Sequence, residues 1–383
     1  MEKIMFLDYE TMRFIWWGLL GALMIGFAIM DGFDMGIAAI LRWAGRNDTE
    51  RRIIINTVGP VWEGNQAWLV LAAGAMFAAF PLLYAVTFSG LYVAMFLVLL
   101  ALILRPVGFK FRSKLTNPRW RALWDWALII GGVVPPLVFG VALGNVLLGI
   151  PFHLDDDLRS FYDGSFFGLF TPFPLLCGLV SLSMVIMHGG VFLALKTEGE
   201  LEVRARRAAS VAAVVMLVLF SLAGVWVAFG MHGYVITEGA GHFAPSNPLT
   251  KTVVLEKGAW LINYGAYPWT IGVPVIAYLG AVMAVAFLHL GRAGWAWIAS
   301  AFSVAAVVGT FGVSTFPFIL PSGTDPRSSL TIWDSSSSHM TLFLMFLATV
   351  VFLPLVIAYT GWVYRVLRGK VTADDITRSE SAY

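Results

Sequence analysis

Long apolar runs recur along the whole chain and are separated by short polar connections. A bilayer hydrocarbon core about 30 Å thick is spanned by roughly 20 apolar residues in a helix, so each run is long enough to cross it. None shows the alternating pattern of a membrane strand. We predict about nine spans: 12–30, 61–80, 82–104, 124–148, 169–195, 208–230, 268–290, 295–319 and 340–364.

Composition supports a membrane protein. Of 383 residues, 59% are hydrophobic and 13% are charged, with a mean hydropathy of +0.80, whereas soluble domains are about half apolar and a quarter charged. We predict one all-α polytopic domain over 1–383. The first run lacks a small-residue cleavage site and is expected to be a retained span. The one cysteine, Cys177, excludes an internal disulfide and a cysteine-based metal site.

Basic residues are frequent in some connections and rare in others, and this distribution predicts how the chain is oriented in the membrane. Lys and Arg are frequent after the first, third, fifth and ninth runs, while the connection after the fourth is acidic, "HLDDDLRSFYDG". Positive charge marks the cytoplasmic side. We therefore expect the N-terminus outside and the C-terminus in the cytoplasm. The connections after the seventh and eighth runs, with Arg292 and Arg327, are less informative.

Two segments four spans apart resemble each other: "IMDGFDMGIAAILRWAGRNDTERR" and "IMHGGVFLALKTEGELEVRARR". Each is the end of an apolar run, a charged stretch and a basic pair. Internal repeats of this kind are common in membrane proteins. The pattern predicts pseudo-repeats over approximately 8–150 and 165–320, followed by an extra C-terminal helix over 335–368.

Two carboxylates, Asp31 and Asp34, lie at the end of the first run. Residues three apart share one face of a helix, and an Asp within the membrane is costly unless it is paired or protonated. One interpretation is a helix-end anchor paired with Arg42 or with Arg51 and Arg52. The other is a proton-conducting group.

A third acid, Glu63, begins the second run in "VWEGNQAWL". One interpretation is an acidic residue stabilising a helix N-terminus, since it follows Pro60 closely. Against this, Asn65 and Gln66 lie deeper, where an amide without a partner is expensive, so we expect polar groups to meet them. Asp31, Asp34 and Glu63 are the candidate mouth of a proton path.

Other candidate chemistry is sparse. His188 is the one histidine well inside an apolar run, and we expect it to be a hydrogen-bonded core residue, because bis-histidine haem ligation needs a facing partner. The sequence has no phosphate-binding loop, dinucleotide fingerprint or haem-attachment motif. We assign no metal site and expect no nucleic-acid partner.

Segments in order from residue 26 to about 340 resemble subunit II of the bacterial cytochrome bd-type quinol oxidases. They are "DGFDMG", "GRNDTERR", "WEGNQAWL", "FSGLYVAMFLVLLALILRPVGFKFRSK", "RWRALWDW", "PPLVFGVALGN", "SNPLTKTVV", "GAWLIN", "FPFILPS" and "SLTIWDSSSS". No single motif is decisive, but their number and order cover nearly the whole chain.

The resemblance implies nine transmembrane helices in two four-helix bundles with a peripheral ninth. It also implies a heterodimer that oxidises quinol and reduces dioxygen to water, using cytoplasmic protons and so charging the membrane. Two b-type haems and one d-type haem are expected on subunit I, with no catalytic residue in this chain. A bound structural quinone and a small accessory subunit are left open, and membrane lipids are expected neighbours.

The resemblance implies roles for only a few residues. The acid at Glu63, usually Asp in the family, would line a cytoplasmic proton path. Trp68 matches a tryptophan near the entry of an oxygen channel, and Asp31 and Asp34 match acids of the "DGFDMG" segment. Two alternatives remain: a purely structural subunit that stabilises the haem-bearing one, and a proton-coupled secondary transporter.

Overall fold

The structure is a computed structural model that describes residues 7–239 and 241–378. The two ends of the predicted domain, 1–6 and 379–383, lie outside the described residues. Within them the chain forms fourteen α-helices. These are α1 (Tyr9–Ala39), α2 (Leu41–Ala44), α3 (Asp48–Val58), α4 (Trp62–Ala79), α5 (Pro81–Gly90), α6 (Tyr92–Phe111), α7 (Pro118–Leu148), α8 (Pro172–Lys196), α9 (Gly199–Phe229), α10 (Ile262–Ala266), α11 (Gly272–His289), α12 (Ala293–Thr315), α13 (His339–Val366) and α14 (Ala373–Arg378).

The predicted all-α, multi-span membrane architecture is confirmed. Eight of the described helices are long and apolar enough to cross a membrane: α1, α6, α7, α8, α9, α11, α12 and α13. The predicted span 61–80 corresponds to α4, an 18-residue helix about 27 Å long. It is not among these eight helices, because Glu63, Asn65 and Gln66 near its start make it less apolar, so the predicted count of about nine spans stays a prediction.

The predicted span 82–104 is divided in the structure. Helix α4 ends at Ala79, and Pro81 opens α5 at the first helical position, where its missing N–H costs nothing. Helix α5 ends at Gly90, and α6 begins at Tyr92 after the non-helical residue Leu91. The third apolar run therefore contains one short helix and one membrane-length helix.

Helix α1 is longer than predicted and packs against several other helices. It begins at the N-cap Asp8, whose carboxylate accepts the Thr11 N–H at 2.7 Å, and continues to Ala39 rather than ending near residue 30. It packs against α4, α7, α8, α12 and α13. Asp31 and Asp34 thus lie inside a packed helix and not at its end.

Glycines permit the closest of these helix contacts. A Cβ on Gly36 of α1 would lie 1.8 Å from the Val185 carbonyl oxygen of α8. A Cβ on Gly189 of α8 would lie 2.6 Å from the Ile37 nitrogen of α1. The backbones of α1 and α8 are therefore in contact, as they are at small-residue helix crossings in membranes. These helices carry the two similar segments, although the repeat boundaries themselves remain a prediction.

Short antiparallel hairpins lie in the connections at one end of the bundle. They pair β1 (Phe152–Leu154) with β2 (Ser160–Tyr162), β3 (His232–Glu238) with β4 (Thr252–Lys257), and β5 (Phe318–Leu320) with β6 (Leu330–Thr331). We call this the hairpin end. The other end, where α1, α6 and α8 finish and α7 and α9 begin, contains Arg51, Arg112, Arg121, Arg204 and Arg206, and we call it the basic end.

The last long helix, α13, is peripheral. It packs against α1 and α4, and most of its surface is exposed. Its N-terminal part is anchored by Leu342 and Phe343, which are buried in an apolar cluster with Trp16 of α1. The Trp16 indole N–H also donates to the Leu342 carbonyl at 2.9 Å. Helix α13 lies within the predicted range 335–368, and its standing as an extra helix beside two repeats stays a prediction.

Candidate functional site

Asp31 of α1 and Arg105 of α6 form a fully buried ion pair. Both guanidinium NH2 groups donate to the carboxylate, at 2.8 Å and 2.6 Å, and both residues are 0% exposed. This bidentate arrangement is the strongest geometry available to an Arg–carboxylate pair. The paired positive charge of Arg105 offsets the electrostatic cost of placing Asp31 within the apolar run.

Asp34 lies beside this pair but is less completely neutralised. One carboxylate oxygen, Oδ2, is 3.8 Å from the Arg105 Nη2 and accepts the Asn65 side-chain N–H at 2.8 Å. The Asn65 carbonyl oxygen accepts the Tyr364 hydroxyl of α13, also at 2.8 Å. Four helices, α1, α4, α6 and α13, thus contribute to one polar network. We call Asp31, Asp34, Asn65, Arg105 and Tyr364 the carboxylate cluster.

Two atoms of the carboxylate cluster lack partners. Asp34 Oδ1 and Arg105 Nε are buried and have no hydrogen-bond partner within the described residues. An unsatisfied buried polar atom is costly, so such atoms point to a proton, a water or a change of state. The cluster also holds two carboxyl groups against one guanidinium, so its charge is not balanced when both acids are ionised.

Two of the three arginines expected beside the aspartates, Arg42 and Arg51, contact other groups instead, so those two pairings were wrong. Arg51 binds Asp125 at 3.1 Å, and the Arg42 guanidinium lies 5.1 Å from the ring centre of Trp126. The cation that meets Asp31 is Arg105, which the sequence analysis counted only as positive charge. The expectation that Asn65 has a polar partner at depth is confirmed.

Glu63 is separated from the carboxylate cluster. Its side chain is 66% exposed and lies 3.6 Å from the ammonium of Lys110 of α6, whose side chain is 58% exposed. Asn65 follows two residues later on α4, and residues two apart do not share a helix face. The structure therefore brings Asp31 and Asp34 together and leaves Glu63 on the surface of the chain.

Trp68, the fourth sequence candidate, is partly buried and packs on α1. An ideal Cβ on Gly26 would lie 2.6 Å from the Trp68 ring, so the missing side chain at Gly26 makes room for the indole. Its oxygen-channel role stays a prediction.

A second buried carboxylate, Asp125 of α7, organises the basic end. It accepts Arg112 Nε at 2.5 Å and Arg51 Nη1 at 3.1 Å. Asp48, at the start of α3, binds Arg112 at 3.0 Å and Arg121 at 2.6 Å. This network ties α3, the end of α6 and the start of α7 together, so several of the basic residues counted for orientation also have structural partners.

Glu50 and Lys251 are among the ionisable groups outside the membrane spans that have shifted pKa values. Burial alone would raise the pKa of Glu50, but hydrogen bonds from the Arg46 backbone N–H and from Arg204 outweigh it and lower that pKa. At the hairpin end, burial lowers the pKa of the Lys251 ammonium although Asp334, 2.9 Å away, opposes the shift. Both pairs fix connections to the helix bundle.

His188 is buried and fully hydrogen-bonded, as expected of a core residue. Its Nδ1 lies 2.7 Å from the Ser300 hydroxyl and its Nε2 lies 3.1 Å from the Ile29 carbonyl oxygen. Among the described residues no three His, Cys, Asp or Glu side chains are grouped as metal ligands.

The comparisons with known proteins agree with this architecture. Residues 12–367 match the family described as cytochrome bd terminal oxidase subunit II. The chain belongs to that family. It is 50% identical over 373 residues to the cytochrome bd-I ubiquinol oxidase subunit 2 of Escherichia coli (strain K12), covering 97% of this chain and 98% of that protein.

Other relatives extend the comparison. A probable cytochrome oxidase subunit 2 from Haemophilus influenzae is 49% identical over 98% of this chain and 99% of its own length. The cytochrome bd ubiquinol oxidase subunit 2 of Bacillus subtilis is 30% identical over 94% and 96%. A chain of the bd oxidase from Geobacillus thermodenitrificans has the same fold, with a TM-score of 0.69 at 20% identity, covering 93% of this chain and 98% of that one.

As a member of the cytochrome bd subunit II family, the chain is a multi-pass membrane subunit of an oxidoreductase complex that uses haem. His188 does not fit an axial haem ligand, because both ring nitrogens are already engaged within the chain.

Sequence reasoning missed the most important member of the carboxylate cluster. Arg105 is 74 residues from Asp31 in the chain, and nothing in a single sequence pairs two residues at that separation. One signal was available: Arg105 precedes Pro106 inside an apolar helix, where a charge requires a partner. Tyr364 gave no signal, because tyrosine is common near the ends of membrane helices.

Proposed function

We propose that this chain is the second subunit of a quinol oxidase that transfers electrons from quinol to dioxygen and generates a proton motive force. The family match over residues 12–367 carries this proposal. The names of the Escherichia coli and Bacillus subtilis relatives support ubiquinol as the electron donor of those complexes. Family membership also favours the oxidase over a proton-coupled transporter.

The partner would be the haem-bearing subunit I, with two b-type haems and one d-type haem. The engaged nitrogens of His188 support placing the haems outside this chain. Quinol and dioxygen would be substrates of the complex, and a bound structural quinone and a small accessory subunit remain open. The basic end would face the cytoplasm of a bacterial inner membrane, since Arg residues concentrate there.

Within the complex, Asp31 and Asp34 would belong to a cytoplasmic proton path. Two buried carboxyl groups share the single guanidinium of Arg105, and Asp34 Oδ1 has no partner within the described residues. A proton on Asp34 would neutralise the excess negative charge, which is costly in a low-dielectric interior. Proton transfer needs groups at hydrogen-bond distance, directly or through water.

Glu63 would act upstream, at the entry from solvent. Its 66% exposed side chain beside Lys110 supports a surface role, and water would have to connect it to the carboxylate cluster. Trp68, packed on Gly26 of α1, would line an oxygen route.

The decisive experiment compares Asp34→Asn with the parent chain in the affinity-purified complex. Reduced-minus-oxidised spectra would report haem content, and quinol-driven oxygen uptake would report turnover. We expect retained haem bands and turnover lowered by about tenfold or more, a loss typical of removing a proton-transfer group. Glu63→Gln should lower turnover less, because water can replace an exposed group.

Glu256→Gln serves as the control, since Glu256 is an exposed carboxylate at the hairpin end. Loss of the haem bands in Asp34→Asn would favour a purely structural subunit. Full turnover in both Asp34→Asn and Glu63→Gln would refute the proton path and leave the oxidase assignment intact.

A further inference from the structure

A cavity of about 410 Å³ lies at the basic end, away from the carboxylate cluster. Its walls come from the end of α8, the start of α9, the turn between α11 and α12, and the segment after α13. The last of these is fixed in place, because the Val371 N–H donates to the Lys196 carbonyl at 2.8 Å. Four separate parts of the chain thus enclose a single space.

Three of the four charged residues that line the cavity are cationic. Arg206, Arg292 and Lys370 face one carboxylate, Glu202. Glu202 is bound by Arg206 through one oxygen and by Lys370 at 3.0 Å through the other. Arg292 has no ion-pair partner within the described part of the chain. The cavity therefore keeps positive charge that its own carboxylate does not neutralise.

A buried donor in this wall also lacks an acceptor. Arg206 Nε is inaccessible to solvent and has no hydrogen-bond partner among the residues described. Buried N–H groups are almost always satisfied by protein, water or a ligand. Because Nε is closed to solvent, a molecule in the cavity would meet the outer part of the Arg206 side chain, whose exposed fraction is 32%.

The start of α12 adds further donors. The helix begins at Ala293 without a side-chain cap, and its first internal hydrogen bond is donated by Ala296 to Arg292. The N–H groups of Ala293, Gly294 and Trp295 therefore have no acceptor within the helix. The N-terminus of a 23-residue helix also favours an anion through its dipole.

The position of the cavity indicates which kind of molecule the bound anionic group belongs to. It lies where the membrane spans α8, α9, α11 and α12 begin or end. Trp295 is 60% exposed there, as expected of a tryptophan at headgroup depth, and Leu290 and Val203 expose apolar surface nearby in the chain. A lipid phosphate bound at this depth would place the acyl chains of the same lipid beside an apolar helix surface. Basic pockets between membrane helices bind anionic lipid headgroups for these reasons.

We propose that this cavity binds the phosphate of an anionic phospholipid, through Arg206, Arg292, Lys370 and the N-terminus of α12. The site is independent of the proposed proton path, since none of these residues belongs to the carboxylate cluster. It would hold the α11–α12 turn, the start of α9 and the C-terminal segment against one lipid headgroup.

The test titrates the delipidated protein, in its native assembly, with phosphatidylglycerol and follows binding by native mass spectrometry. Arg292→Gln should weaken phosphatidylglycerol binding about fivefold, the effect of removing one cation near an anionic lipid. Lys370→Gln tests the site a second time from another segment. Lys114→Gln is the matched control, because Lys114 is an exposed cation at the same end but outside the cavity.

Two further arms identify the source of the phosphate. Phosphatidylcholine, which has a phosphate but no net charge, should bind more weakly than phosphatidylglycerol, and inorganic phosphate should not displace the lipid. Equal binding of both lipids, or equal weakening by Lys114→Gln, would overturn the proposal. Displacement by inorganic phosphate would show a free-anion site and also overturn the lipid assignment.

Discussion

Arg105 is the residue on which the carboxylate cluster depends. Its guanidinium makes two hydrogen bonds with Asp31 and lies 3.8 Å from Asp34, and all three residues are almost completely buried. A buried ion pair is weak evidence of net stability, because desolvation offsets the attraction. Removing only one partner is different, since it leaves uncompensated charge in the interior.

We therefore expect Arg105→Gln to destabilise the protein by about 3–5 kcal/mol, the usual cost of breaking a buried pair from one side. The measurement is the thermal unfolding midpoint and yield of the purified protein. Lys110→Gln, which removes an exposed cation from the same helix, should change neither. If Arg105→Gln unfolded at the temperature of the parent chain, the burial of Asp31 would not depend on its pair with Arg105.

At the scale of elements, the α1–α8 contact positions the carboxylates. Gly36 follows Asp34 by two residues and lies against the α8 backbone, while Gly189 provides the matching space on α8. Any displacement of α1 here would move Asp31 and Asp34 relative to α6 and α4. Glycine in this contact therefore affects both packing and the geometry of the carboxylate cluster.

Gly36→Ala should be strongly destabilising, because its Cβ would lie 1.8 Å from the Val185 carbonyl oxygen. Overpacking of a close contact costs about 1–3 kcal/mol, and a backbone clash is at the upper end of that range. Thermal unfolding of the purified protein would measure the loss. Gly18→Ala on the same helix has nothing within 4 Å and should be neutral. Equal stability of the two variants would mean that α1 and α8 can separate without cost.

The sequence predicted the positions of the helices far better than the contacts between them. Apolar runs of about 20 residues identified all the long helices, because the bilayer fixes their length. The run at 61–80 was found despite its polar start, whereas the end of α1 was placed near residue 30 because Asp31 and Asp34 interrupt the apolar pattern. Arg105, on another helix, partly compensates the charge of these aspartates. A pairing between residues so far apart in the chain cannot be read from the local sequence pattern. Glu63 was grouped with the aspartates because the two helix ends are close in the sequence. That closeness does not determine which helix faces meet.

On the scale of the whole molecule, the carboxylate cluster joins the last long helix to the first. Tyr364 of α13 donates to Asn65 of α4, which in turn donates to Asp34 of α1. Helix α13 is otherwise peripheral, with few buried positions in its membrane span. Its polar contact with the interior therefore connects the position of the C-terminal helix to the hydrogen bonding of Asp34.

This connection predicts energetic coupling between Tyr364 and Asp34. Tyr364→Phe removes the hydroxyl that fixes the Asn65 amide, so Asn65 can rotate and its hydrogen bond to Asp34 should weaken. Alone, the variant should cost about 1 kcal/mol, as for a single neutral hydrogen bond. Combined with Asp34→Asn, the two effects should not add, with an interaction energy of about 0.5–3 kcal/mol.

The coupling is measured by a double-mutant cycle on thermal unfolding, using Asp34→Asn, Tyr364→Phe and the double variant. Tyr359→Phe provides the matched control, because Tyr359 lies on the same helix and its side chain is 65% exposed. Its effect should add to that of Asp34→Asn within about 0.3–0.5 kcal/mol, as for independent sites. Additivity for Tyr364 as well would mean that the Asn65 amide keeps its orientation without the hydroxyl. Helix α13 would then dock without influencing the hydrogen bonding of Asp34.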